Sequence, residues 1–162
     1  LQARWRTAEG IDKLRTLWAL HAVGAANERI LDEALGSPDE HVRAWAVELA
    51  TTWGEPRGTV GARLLAMAGG ESSPLVRLYL ASALQRVSSA AAWTIAQGLV
   101  LHPEDEHDRN LPRMLYYGVE RLAGIDARRA LALAVTARVP TVSRLIYRRL
   151  ATTPPGLEAV TA

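Results

Sequence analysis

The chain has 162 residues, 49% of them apolar, which is enough to bury a core and too much for a disordered tail. It contains no cysteine, which excludes disulfides, thiolate metal sites, a cysteine nucleophile and a C-x-x-C-H haem attachment within it. A net charge of +2, carried almost wholly by arginine with Lys13 the sole lysine, is too mild to mark a nucleic-acid binder by itself. No run of about 18 apolar residues is present to cross a membrane. The chain opens on Leu1 with no basic-then-apolar leader, and it reads as a segment of a longer protein. That reading leaves the compartment open.

In chain order, the residues from Leu14 give Leu17, Trp18 and Ala22 on one helical face. From Val42 the apolar positions are Trp45, Ala46, Leu49, Ala50 and Trp53. From Val76 they are Tyr79, Leu80, Ala83, Leu84 and Val87. Leu115, Tyr116 and Val119 follow, then Val142, Leu145, Ile146 and Leu150. Each set is the i, i+3, i+4, i+7 stripe of a helix with one buried side. Between them the sequence predicts shorter amphipathic helices at about 27–35, 59–68, 89–101 and 127–137. Ser37 with Pro38 and Glu40 predicts a capping box, Ser73 with Pro74 repeats it, and Asn110 is a candidate cap for a helix over 111–123. Gly24, Gly36, Gly54, Gly69, Gly70 and Gly124 stand where helices should stop. The stretch from Thr152 to Ala162, with Pro154-Pro155-Gly156, is expected to fray or to act as a linker, leaving 1–151 as one domain.

The stripes share a frame at Leu14-Arg15, Val42-Arg43, Val76-Arg77, Pro112-Arg113 and Val142-Ser143, spaced 28, 34, 36 and 30 residues apart. The segment from Ser37 to Ala46 resembles the second helix of a HEAT repeat. The expectation is therefore an all-α fold, an α-solenoid of four to five HEAT-like, armadillo-like helix pairs. Over residues 12–151 the chain is similar to the helical segment of large bacterial multidomain proteins of the membrane-bound dehydrogenase-like, c-type cytochrome kind. The resemblance rests on Leu14 to Gly24, Ser37 to Trp53, Ser73 to Val87 and Asn110-Leu111-Pro112. It implies a connector inside an extracytoplasmic, periplasmic redox protein. No catalytic or haem-ligating residue carries over, so the segment is expected to be no enzyme and to hold no cofactor.

The one cluster with metal-ligand chemistry is His102, Asp105, His107 and Asp108, with Glu106 between them. It matches no established ligand spacing, and a solvated acidic loop is the preferred reading. His21 falls on a buried stripe, where a core hydrogen bond outweighs catalysis. The five tryptophans are read mainly as packing. Arg15, Arg43, Arg77 and Arg113 flank the stripes, either as a ladder to acids such as Asp12, Asp39 and Asp108 or as a line of phosphate contacts. The ladder is preferred. From Arg109 to Arg149 there are nine arginines against Glu120 and Asp126, and Arg128, Arg129, Arg138, Arg144 and Arg148 are the candidate partner-binding residues. Two functions compete. One is a non-catalytic scaffold that binds a protein or the neighbouring domains of its own chain. The other is a nucleic-acid-binding HEAT-like protein of the alkylpurine DNA glycosylase type, which needs an acid and exposed aromatics in a basic groove.

Overall fold

The structure, a computed structural model, describes residues 1–161. These form eleven α-helices and no strand. They are α1 (Gln2–Thr7), α2 (Gly10–Ala22), α3 (Glu28–Leu35), α4 (Glu40–Thr51), α5 (Gly58–Met67), α6 (Pro74–Ala83), α7 (Ser89–Leu99), α8 (Leu111–Ala123), α9 (Ala127–Thr136), α10 (Pro140–Leu150) and α11 (Pro154–Thr161). A 3-10 turn, Pro103–His107, joins α7 to α8. None of the helices is long and apolar enough to cross a membrane.

The helices pack in two tiers. In one, α2, α4, α6, α8 and α10 lie side by side, each against the next. In the other, α3 packs on α5, α5 on α7, and α9 on α11. Links such as α3 to α4, α7 to α8 and α9 to α10 close the tiers onto one core, where Leu20, Ile30, Val47, Leu64, Leu80, Ile95, Leu122 and Ile146 are buried. Where α7 crosses the end of α5, a Cβ on Gly98 would stand 2.7 Å from the Ala68 carbonyl carbon and the Gly69 nitrogen, so only glycine allows this approach.

Local chemistry sets most of the helix starts. Asn27, Ser73, Ser88 and Asp126 each accept a hydrogen bond from the amide three residues on. Two caps differ from expectation. At α4 the cap is Asp39, which accepts from the His41 amide at 2.8 Å; Pro38 lies before the helix, and Ser37 accepts only from the Asp39 amide. Glu40 does not close a box but takes the hydroxyl hydrogen of Ser73 on the next pair. At α8, Asp108 accepts from both Asn110 and Leu111 amides at 2.8 Å, which leaves the Asn110 side chain without a capping role.

The expected stripe is buried in and just past α6 at Val76, Leu80, Ala83, Leu84 and Val87, but in α4 the buried face is rotated from it. Val42, Ala46 and Val47 fill the core, while Trp45, Leu49 and Tyr79 are half-buried. Trp45 meets Trp18 of α2 and Tyr79 of α6, its neighbours along the tier. Trp53 leaves the core entirely: α4 ends at Thr51, Gly54 turns the chain at φ 108°, and the indole is 89% exposed. The segment expected as a frayed tail or linker carries α11, seated on α9 and α10 with Gly156 and Ala159 buried; Ala162 lies outside the described residues. Pro154 and Pro155 open this helix, where missing amide donors cost nothing.

Candidate functional site

The acidic loop is folded, and its side chains are spent on separate partners. Asp105 is 1% exposed and receives the guanidinium of Arg77, itself 1% exposed. The His102 ring bridges Glu104 (Nδ1 to Oε1, 2.9 Å) and the Ala68 carbonyl (Nε2 to O, 3.0 Å). Glu106 accepts from the Thr141 amide at 2.9 Å and hydroxyl at 2.7 Å, Asp108 caps α8, and His107 is exposed. His102, Asp105, His107 and Asp108 therefore do not converge, and among the described residues no three His, Cys, Asp or Glu side chains gather as a metal site.

The arginine ladder is real at its two inner rungs. Arg43 donates from Nε and Nη2 to the Glu71 carboxylate at 3.0 and 2.8 Å, and from Nη1 to the Ser37 carbonyl at 2.8 Å. Arg77 repeats this one pair later: Nε donates to Asp105 Oδ2 at 2.7 Å, Nη2 to Oδ1, and Nη1 to the Glu71 carbonyl at 2.7 Å. Both arginines stand four residues past a helix cap, reach an acid 28 residues ahead and hold a carbonyl six residues behind. The outer rungs differ. Arg15 meets only Asp12, at 3.7 Å and exposed, and Arg113 is exposed with no acid partner among the described residues. Asp39 and Asp108, expected as partners, are caps instead. Burial opposes the charge on Glu71, yet the Arg43 guanidinium and the Ser73 amide outweigh it and hold the carboxyl below the usual range. A second repeated device lies nearby. Glu28 accepts from the Thr59 amide and hydroxyl at the start of α5, as Glu106 does from Thr141 at the start of α10. Residue-type reasoning missed these partners because Glu71 and Asp105 come from the connections that precede the next helices; the equal spacings of Arg43–Glu71 and Arg77–Asp105 were the available signal.

The open surface of chemical interest lies on the α2–α10 tier. Trp45, Leu78, Tyr79 and Met114 line a groove of about 350 Å³ across α4, α6 and α8, with Glu48 and Ser82 at its rim. Trp45 and Tyr79 stand 6.2 Å apart, and Trp18, 38% exposed, meets Trp45 edge-on at 4.9 Å. The rim charges satisfy each other: Arg86 donates to Glu48 at 2.7 Å, to Ser82 at 3.2 Å and to Thr51 at 3.1 Å. Beyond Met114, Tyr117 of α8 is 54% exposed, and α10 exposes Arg144, Tyr147 and Arg148.

The other arginines read as partner-binding candidates are placed elsewhere. Arg128 and Arg129 lie on α9 in the opposite tier, where Arg129 covers the buried Trp93 ring at 4.9 Å. Arg138 is exposed, and its amide donates to Val100 O at 2.7 Å. Of the other tryptophans, Trp5 is buried and donates to Glu33 at 2.7 Å, so the five divide between core and surface. His21 is half-buried, and its ring takes no hydrogen bond among the described residues. No family model, curated protein or solved structure matches the chain.

Proposed function

We propose that the chain is a non-catalytic scaffold of HEAT-like helix pairs that binds protein on the α2–α10 tier. The observation that carries this reading is the apolar groove of Trp45, Leu78, Tyr79 and Met114, which runs unbroken over three successive helices. Half-exposed aromatics and methionine in a shallow groove are the side chains that anchor protein partners. On the resemblance of residues 12–151, the partner class includes neighbouring domains of a larger extracytoplasmic redox protein, with this segment as the connector.

Panning a display library of random 12-residue peptides on the immobilised chain tests the reading. Enriched peptides should compete with one another and lose binding to Tyr79→Ala while that variant keeps its helical spectrum. The nucleic-acid reading would replace it if duplex DNA bound tightly at about 150 mM salt and lost that binding on Arg144→Ala/Arg148→Ala.

A further inference from the structure

We infer that the groove and the arginines beyond it form one bipartite site for an acidic, amphipathic peptide segment: apolar side chains seat on Trp45, Tyr79 and Met114, and carboxylates meet Arg144 and Arg148. The inference rests on the protein-binding reading above and adds the chemistry of the partner.

The charge distribution along the tier is the reason. Over α4 and α6 the exposed face is neutral, because Glu48 and Arg86 cancel at the rim. Over α8 and α10 it is basic. Arg144 and Arg148 are exposed, and neither has a carboxylate within ion-pair distance among the described residues; Arg144 donates to the Thr141 hydroxyl at 3.3 Å. Elsewhere the chain pairs its arginines when an acid is in reach, as at Arg43, Arg63, Arg77 and Arg86. Even Arg149, one residue from Arg148, turns back 3.7 Å from Glu120. Arg144 stands 30 residues past Met114, the offset of their helices in the shared frame, so it holds in α10 the place that Met114 holds in α8, and Arg148 lies one turn further along that face. Tyr117 and Tyr147 are exposed on the same two helices. An apolar half leading into a cationic half is complementary to a segment that is apolar at one end and acidic at the other. Guanidinium groups suit carboxylates because they pair in a bidentate way.

The dimensions set the length of the ligand. Neighbouring helix axes lie about 8–10 Å apart, so three steps from α4 to α10 span roughly 24–30 Å. An extended segment at about 3.3 Å per residue covers that distance in about 7–9 residues.

The test uses fluorescein-labelled 12-residue peptides with Leu and Phe in one half and four Glu in the other, made in both chain orders. Gln and Lys replace Glu in the controls. Anisotropy titrations at low salt should show a Glu peptide binding at least tenfold tighter than its Gln counterpart, with the Lys version weaker still. The advantage should vanish in Arg144→Glu/Arg148→Glu, whose exposed positions leave the melting temperature unchanged, and at about 1 M salt, where screening acts within about 3 Å. Equal binding of Glu and Gln peptides, both lost in Tyr79→Ala, would overturn the acidic partner and leave protein binding standing. Failure of every designed peptide, with panning still yielding groove binders, would overturn this inference alone. Displacement of the Glu peptide by equimolar duplex DNA at about 150 mM salt would overturn both.

Discussion

Arg77 and Asp105 face each other across two helix pairs with each side chain 1% exposed, joined by two guanidinium hydrogen bonds. Removing Arg77 strands the buried Asp105 carboxylate, and removing Asp105 leaves the buried Arg77 only Glu104, exposed and 3.4 Å away. Arg77→Met or Asp105→Leu should each cost about 3–5 kcal/mol in urea unfolding, and the double replacement should cost less than their sum. Single losses below about 1 kcal/mol would show that the pair is hydrated in solution.

Leu84 is fully buried against α8, whereas Leu49 is only half-buried. Leu84→Ala should lose about 2–5 kcal/mol, and Leu49→Ala about half that or less, because fewer of its contacts are removed. Equal losses would mean that Leu49 is covered more deeply than the tier geometry allows.

The contact of α7 with the end of α5 gives a probe of the opposite kind. Gly98→Ala puts a methyl group against backbone atoms at 2.7 Å, where no rotamer can relieve the clash. A loss of about 1–3 kcal/mol is expected despite the better helix propensity of alanine. A gain in melting temperature would contradict this packing.

Stability should depend on pH through Glu71. Its folded carboxyl is held below its ordinary value of 4.5, so the unfolded chain takes up the proton first. The contribution is therefore complete above the ordinary carboxylate range and is lost as pH falls through the folded value. Denaturant midpoints should be flat near neutrality and decline below about pH 4.5, and Glu71→Gln should start lower and decline less. An unchanged acid limb in Glu71→Gln would assign the decline to other carboxylates, such as Glu106.

Helix positions were legible because they depend on local signals. The segments at 27–35, 59–68, 89–101, 127–137 and 111–123 each coincide with a helix to within two residues at either end, since periodicity and side-chain caps act over a few residues. The rotation of α4 about its axis was less legible than that of α6, whose stripe is buried at five of six positions. Trp45 and Tyr79 fit the apolar stripe, but bulky aromatics at its edge can fill space along a tier as well as beneath it. The loop at 102–108 was hidden for a different reason. Its acids look solvated or metal-binding in sequence, while Arg77, Thr141 and the α8 amides claim them from distant positions. Helix α11 escaped notice because two prolines and a glycine resemble a break when no neighbour is known.

The forward reach of the ladder also sets an order for synthesis. Arg77 cannot neutralise its interior charge until Asp105 has been made, 28 residues later. At about 5–20 residues per second that is a wait of about 1.5–6 s, long compared with helix formation. During it, α6 must stay open to water at the Arg77 end, so this helix locks only when the 3-10 turn that carries Asp105 has left the ribosome.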